Sequence, residues 1–158
     1  MSAEVGSETI LRSRLEALPR GQWDYIIIDT PPSFGTLAAN GMVAASELFI
    51  PVEAHYLALD GVADLLKTVA KIKERLNPRL EITGVVPCRV SRTRHAKAVV
   101  ESLDKRFGKI VLPSIRENVR IAESPGNGQP ITVYSPDSIG AEDFTTLAKA
   151  VIAQEKTR

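Results

Sequence analysis

An acidic side chain directly follows an apolar run near the start of the chain. Residues 25–28 are large and mostly β-branched, which favours a strand buried on both faces, and Asp29 comes next. Pro31 and Pro32 end the run, because proline has no N–H to donate to a sheet. Ligands of parallel α/β sheets bind at the carboxyl ends of the strands, so Asp29 is placed to hold a hydrated Mg²⁺ beside a phosphate. The alternative, that Asp29 only caps the next turn, is equally compatible with these residues.

A second group of residues with possible chemistry is basic. The stretch from Cys88 to Arg120 contains nine Lys or Arg against three acids, whereas the whole chain has a net charge of only +1. Clustered cations bind nucleic-acid phosphates by releasing counterions, but a solvated helix face has the same composition. Both interpretations remain open on composition alone. His55 has no partner at a catalytic spacing and is interpreted as a surface histidine. His95 lies among arginines and is interpreted as solvated or close to a phosphate.

Strands and helices that alternate along the chain would position these residues. Apolar runs predict strands over 24–29, 47–52, 81–87 and 109–115, the last interrupted by Pro113. Helical periodicity and capping residues predict helices over 8–18, 35–45, 60–76 with Asp60 as N-cap, 94–107 ended by Gly108, and 140–155. A single turn is expected at 118–123 and loops at 124–138. The fold class is therefore α/β, a doubly wound and mostly parallel sheet with helices on both faces.

Length and composition set the class of protein. The 158 residues, 44% hydrophobic and 25% charged, predict one globular domain over 1–158. Cys88 is the only cysteine, so no disulfide framework is expected. No apolar run approaches the roughly 20 residues of a membrane span, and three glutamates among the first 20 residues argue against a signal peptide. We therefore expect a cytoplasmic chain with no membrane association.

Four segments together resemble the ParA/Soj partition ATPases, a family of P-loop NTPases with a deviant Walker A motif. In order, they are YIIIDTPPSFG, AASELFIPVEAHYLALDGVADLLKTVAKIKERLNP, SRTR and IRENVRIAESPGNGQPITVYSPDSIGAEDF. The resemblance runs from about residue 8 to about residue 150. The tail VIAQEKTR differs from the membrane-bound MinD branch, because it has few bulky apolar residues for a lipid-binding helix.

This resemblance implies roles for particular residues. Asp29 is implied to be the Walker B aspartate, the catalytic residue that contacts Mg²⁺ through water, followed by a switch region made of Thr30, Pro31, Pro32, Ser33 and Gly35. Weak candidates for the nucleotide side are Ile115, Asn118 and Pro125, and the implied DNA-binding residues are Arg92, Arg94, Arg116 and Arg120. The implied cofactors are ATP and Mg²⁺. The implied partners are non-specific DNA, a ParB-type centromere-binding protein and, for a full-length protein, a second copy, with a nucleoid-associated location in the cytoplasm.

Two motifs of that family have no match in these residues. The sequence contains no G-x-x-x-x-G-K-[ST] phosphate-binding loop and no D-x-D-P-Q first switch. The chain is therefore expected to correspond to the C-terminal half of such an ATPase, truncated at its N-terminus. Its doubly wound sheet is expected to be partial, P-loop NTPase-like but without the N-terminal P-loop strand and helix. Phosphoryl transfer depends on positioning and charge neutralisation, so we expect weak ATP binding and negligible hydrolysis. The alternative function is an ATP-independent DNA- or partner-binding module derived from the family, and a third possibility is a bare α/β scaffold with no surviving activity.

Overall fold

The computed structural model describes residues 7–19, 21–31 and 35–156. They fall into two compact units: the described residues of Met1–Leu48 with Ala63–Ile82, and those of Phe49–Val62 with Thr83–Arg158. Whether residues 1–158 behave as a single cooperative domain stays a prediction. The helices are α1 (Ile10–Glu16), α2 (Thr36–Ala44), α3 (Tyr56–Arg75), α4 (Arg94–Phe107), α5 (Val119–Glu123), α6 (Ile131–Tyr134) and α7 (Ile139–Glu155), and the strands are β1 (Glu47–Glu53) and β2 (Glu81–Cys88).

The two strands pair in parallel. In the first unit the N–H of Glu81 donates to the carbonyl of Ser46 over 3.0 Å, and in the second the N–H of Ala54 donates to the carbonyl of Cys88 over 2.9 Å. A parallel bridge also joins Val85 of β2 to Val111. Helices separate these parallel segments along the chain, which confirms the predicted α/β class.

The core of the first unit lies between α2, α3 and the start of β2. Its buried side chains are Ala38, Met42, Val43, Val69, Ile72 and Leu80. The end of α2 is held by polar groups, because Asn77 Nδ2 donates to the carbonyls of Met42 (2.9 Å) and Ala45 (2.7 Å). These bonds satisfy carbonyls that a helix terminus leaves without an internal partner.

The core of the second unit packs α7 against β2 and the segment that follows α4. Its buried side chains are Val86, Leu112 and Ile115, and the half-buried Phe49, Leu147 and Val151 pack against them. Gly84 of β2 allows the close packing of Phe49 and Leu112, since a Cβ at position 84 would lie 2.6 Å from Leu112 Cδ1 and closer still to Phe49. A larger residue at position 84 would push these side chains apart.

The predicted strand 24–29 is wrong. Residues 25–31 carry no regular secondary structure, and the side chain of Ile27 is 92% exposed. In the described part of the chain, the two strands of the sheet pair with each other and not with this segment. Its apolar, β-branched composition satisfies the side-chain preference of a strand, but a strand also needs a neighbour for its backbone hydrogen bonds.

Other predicted elements differ at their ends. The predicted strand 109–115 begins with a 3₁₀ turn, Gly108–Ile110, and pairs with the sheet only at isolated bridges. Helix α3 begins at Tyr56, so Asp60 lies inside it and is not the N-cap. The predicted loop 124–138 includes a 3₁₀ turn at Ser124–Asn127 and the short helix α6. Helix α4 has the predicted bounds, with the Thr93 side chain as N-cap and Gly108 at φ 56° after its last residue.

Candidate functional site

Asp29, in the first unit, lies on an exposed stretch that rests against α2. Asp29 and Thr30 are exposed, and Ile28 is half-buried. A Cβ on Gly41 of α2 would lie 2.7 Å from Thr30 Cγ2 and 3.5 Å from Ile28 Cγ2. The missing side chain of Gly41 therefore lets the chain on both sides of Asp29 approach the helix closely. This packing positions the backbone and leaves the Asp29 carboxylate in water.

An exposed carboxylate of this kind fits a water-mediated contact with Mg²⁺. Mg²⁺ usually keeps several waters and takes one or two protein carboxylates together with substrate phosphates. Within the described residues, no group of three or more His, Cys, Asp or Glu side chains is arranged to hold a metal ion. Asp29 therefore fits an outer-sphere position, in which phosphate oxygens and water would supply the remaining ligands.

The predicted switch region is described only in part. Thr30 contacts α2 at Gly41, Pro31 continues the irregular stretch, and Gly35 precedes α2 as its N-cap. Pro32 and Ser33 lie outside the described residues. The switch role stays a prediction.

The three nucleotide-side candidates lie on one stretch of the second unit, with different surroundings. Ile115 is buried, and its N–H donates to the carbonyl of Pro87 over 2.8 Å. Asn118 caps α5, because its Oδ1 accepts the N–H of Arg120 over 2.8 Å. Pro125 is exposed in the 3₁₀ turn after α5. Packing and capping account for the first two positions, and a nucleotide contact stays a prediction for all three.

Two of the four predicted DNA-binding arginines are engaged by acids. Arg116 Nε donates to both carboxylate oxygens of Asp143 over 3.0 Å, and its Nη2 donates to Glu142 over 2.9 Å. These hydrogen bonds raise the pKa of Arg116 above its ordinary value, and the bond with Asp143 has the largest effect. Arg120 pairs with Glu123 over 2.8 Å, and this hydrogen bond raises the pKa of Arg120 as well. Both guanidinium charges are thus partly neutralised inside the protein.

The carboxylate of Asp143 is buried, with only 7% of the residue exposed. Its Oδ2 also accepts the backbone N–H of Arg116 over 2.8 Å. Burial acts to raise the pKa of Asp143, but the hydrogen bonds from the Arg116 side chain and backbone outweigh it, so that the pKa lies below its ordinary value. Asp143 therefore stays ionised and ties α7 to the segment that carries Ile115 and Asn118.

Arg92 and Arg94, the other two predicted DNA-binding residues, are exposed at the start of α4. No ion pair engages either guanidinium within residues 7–19, 21–31 and 35–156. Their backbone is held by two hydroxyl groups, because Ser91 Oγ lies 3.0 Å from Thr93 Oγ1 and Thr93 Oγ1 accepts the N–H of Ala96. The two free cations therefore lie at the positive end of a 14-residue helix, where anions are favoured.

Sequence reasoning missed two groups of residues near this helix end. Arg89, at φ 50°, donates to Glu53 over 2.8 Å and to Glu117 over 3.4 Å. The rings of His55 and His95, interpreted separately from the sequence, lie 5.2 Å apart between centroids. These partners are 28 to 40 residues apart in the chain, so local spacing holds no signal for them.

The sequence of the chain is similar to a family profile and to individual partition proteins. The family profile described as AAA domain matches residues 1–82. The sporulation initiation inhibitor protein Soj of Bacillus subtilis (strain 168) is 41% identical over 151 residues, which cover 94% of this chain and 59% of that protein. The chromosome partitioning protein ParA of Caulobacter vibrioides (strain NA1000 / CB15N) is 36% identical over 151 residues, 94% of this chain and 57% of that protein.

A solved structure is similar over most of the chain. The crystal structure of cobyrinic acid a,c-diamide synthase from Mycobacterium smegmatis matches with a TM-score of 0.76 at 31% identity, over 96% of this chain and 55% of that one. The same enzyme with bound ATP analog and magnesium matches with a TM-score of 0.65 at 35% identity, over 73% of this chain and 46% of that one. The chain thus spans less than two thirds of the length of these proteins.

The helices of the described residues include none with the length and apolar character that crossing a membrane requires.

Proposed function

Because the chain belongs to the ParA/Soj family of partition ATPases, we propose that these residues form the metal-side and DNA-side parts of an ATPase that partitions chromosomes or plasmids. The observation that carries the proposal is the pair of exposed, unpaired arginines, Arg92 and Arg94, at the N-terminus of α4. Non-specific duplex DNA is the proposed ligand of this surface. A ParB-type protein and a second copy of the full-length protein are the further proposed partners, in the cytoplasm at the nucleoid.

On the nucleotide side we propose that Asp29 contacts Mg²⁺ through water, beside ATP. Its exposure and its fixed backbone support this role. When bound, Mg²⁺ with ATP would neutralise phosphate charge, and the part of the chain around Asp29 would orient the metal's water shell. The 158 residues contain no G-x-x-x-x-G-K-[ST] loop, so a phosphate-binding loop would have to come from other sequence. The chain by itself should therefore bind ATP weakly.

The test of the DNA surface compares arginines that differ in their ion pairs. Binding of a labelled duplex is measured by fluorescence anisotropy over a range of salt concentrations. Replacing Arg92 with alanine should weaken binding and reduce the slope of log K against log salt by about 0.9, the value for one lost phosphate contact. Arg120→Ala is the matched control, because Glu123 already neutralises this exposed arginine. Equal effects of the two substitutions, or no change in slope for Arg92→Ala, would contradict the proposal.

The second candidate function is an ATP-independent DNA- or partner-binding module. Two observations favour it: the phosphate-binding motif has no match in these residues, and Arg92 belongs to a different compact unit from Asp29. Calorimetry with ATP or ADP and Mg²⁺ separates the two functions, with Asp29→Ala as the test variant and Asp24→Ala as its control. Micromolar binding that only Asp29→Ala weakens would support the ATPase. DNA binding without nucleotide binding would support the module.

A further inference from the structure

Three ring side chains meet after the carboxyl ends of the two strands in the second unit. His55 lies two residues after the end of β1, Tyr56 is the first residue of α3, and His95 lies in the first turn of α4, which follows β2. The centroids of the Tyr56 and His95 rings are 4.4 Å apart at an interplanar angle of 80°, and those of His55 and His95 are 5.2 Å apart at 62°. The carboxyl end of parallel strands is where such sheets bind ligands.

This ring cluster, His55 with Tyr56 and His95, is exposed, and its rings pack against one another. Tyr56 is 52% exposed, and both histidines are exposed. Edge-to-face contacts hold the rings against one another. The backbone N–H of His55 donates to the carbonyl of Glu53 over 2.7 Å. The ring nitrogen Nδ1 of His55 accepts the backbone N–H of Leu57 over 3.4 Å. Rings that already pack against one another lose less conformational freedom when a ligand stacks on them than isolated rings would.

The charge beside the ring cluster is positive. Arg94 precedes His95 in the chain, and Arg92 lies two residues earlier, both exposed and without ion pairs in the described part of the molecule. The acids on the neighbouring segments, Glu53 and Glu117, both pair with Arg89. The surroundings therefore favour an anion next to flat, exposed rings.

We propose that the ring cluster is a stacking platform for an unpaired base of single-stranded nucleic acid, with Arg92 and Arg94 binding the adjacent phosphates. Every base has a π face, so stacking on aromatic rings in a basic groove is independent of sequence. The bases of a duplex are stacked within the helix and reach no such platform, whereas duplex phosphates still reach the arginines. The inference rests on the nucleic-acid surface of the proposed function and adds a second mode of binding to it.

A metal ion fits the ring cluster less well. His55 Nδ1 accepts the N–H of Leu57 over 3.4 Å, so this nitrogen is already engaged by the backbone. No third ligand completes a site with the two histidines among the described residues. A free mononucleotide also fits the surface less well, because it has only one base and one phosphate group. The two arginines and the helix N-terminus offer positive charge to several phosphates of a nucleic-acid strand.

The test uses the 158-residue chain and three probes: a labelled oligo-dT of roughly 12 nucleotides, within the range of known single-strand site sizes, a duplex of the same length, and AMP as a competitor. Tyr56→Leu keeps an apolar side chain but removes the π face, and should weaken oligo-dT binding about 5- to 150-fold while leaving duplex binding unchanged. Tyr56→Phe should bind oligo-dT like the wild type. Val133→Ala, at another exposed apolar position of the same unit, is the control.

Each outcome separates this inference from the proposed function. If Tyr56→Leu weakens oligo-dT and duplex binding equally, or weakens neither of them, the stacking platform is overturned. Duplex binding that depends on Arg92 would still support the proposed function in that case. If AMP displaces oligo-dT at comparable concentration, the ring cluster is a mononucleotide site and the inference is overturned. Oligo-dT binding that depends on Tyr56, without any duplex binding, would support the platform and contradict the proposed function.

Discussion

The carboxylate of Asp143 links α7 to the segment after Ile115, and its removal should destabilise the protein. In Asp143→Ala the backbone N–H of Arg116 loses its acceptor, which lies 2.8 Å away in the wild type. This N–H has no alternative partner in the sheet, because the parallel bridge to Val90 uses the neighbouring backbone groups of Ile115 and Glu117. Hydrogen bonds to a charged group contribute about 1.5–3 kcal/mol each, so we expect a loss of about 2 kcal/mol.

Glu142 provides a matched control on the same helix. Its carboxylate contacts the same guanidinium over 2.9 Å, but its side chain is 69% exposed. Surface ion pairs contribute about 0–1 kcal/mol, so Glu142→Ala should change the free energy of unfolding by roughly 0.5 kcal/mol or less. Urea unfolding followed by circular dichroism at neutral pH measures both values, and the corresponding fall in melting temperature for Asp143→Ala is about 4–8 °C.

The pH dependence provides an independent check. The pKa of Asp143 is lowered in the folded protein, so the unfolded chain binds the proton more readily and the stabilisation grows as pH rises. It is complete above the ordinary aspartate pKa of about 3.9 and is lost as pH falls through the lower folded-state value. The difference in unfolding free energy between wild type and Asp143→Asn should therefore be constant above about pH 5 and shrink below about pH 4. A difference that grows on acidification, or an Asp143→Ala effect no larger than that of Glu142→Ala, would refute this reasoning.

Two further predictions concern the first unit, and each has its comparison variant in the second unit. Gly41→Ala should destabilise the protein, because the new Cβ would lie 2.7 Å from Thr30 Cγ2. Gly61→Ala places its Cβ where nothing lies within 4 Å and should stabilise helix α3 by up to about 1 kcal/mol. Thermal unfolding of both variants checks these opposite signs, and two stabilising substitutions would contradict the packing of Thr30 on α2. Asn77→Ala should lower the free energy of unfolding, measured in urea, by about 2 kcal/mol, because the carbonyls of Met42 and Ala45 lose their donor. Asn127→Ala, at an exposed asparagine, should lower it by less than about 1 kcal/mol. Equal losses would contradict the capping role of Asn77.

Elements whose signals are local could be predicted from the sequence. Helix α4 has its N-cap in Thr93 and its end at Gly108, and both act within one turn of the residues they affect. The alternation of strands and helices predicted the α/β class for the same reason. Helix α3 shows the limit of such signals, because it starts four residues before its apparent cap, Asp60.

Features that depend on distant partners could not be predicted. Arg116 and Arg92 are alike in the sequence as basic residues of one segment, yet only Arg116 meets a buried carboxylate, 27 residues away. The same holds for His55 and His95, which are 40 residues apart and were interpreted separately, His55 as a surface histidine and His95 as solvated or close to a phosphate. Residue type identified the candidate cations and rings, and only the fold separates those that are paired from those that are free to bind a ligand.

The segment before Asp29 explains why a strong strand pattern did not become a strand. Its composition supplies the preference of each side chain, but the free energy of a sheet comes from pairing, and the described residues offer this segment no adjacent strand. The segment instead contacts a helix, through the close approach of Ile28 and Thr30 to Gly41. The position of the Asp29 carboxylate therefore depends on the absence of a side chain at position 41. If Asp29 holds the water shell of Mg²⁺, then in a protein that also carries a phosphate-binding loop Gly41→Ala should weaken nucleotide-dependent Mg²⁺ binding as well as stability. Gly41 itself bears no group that could touch the metal.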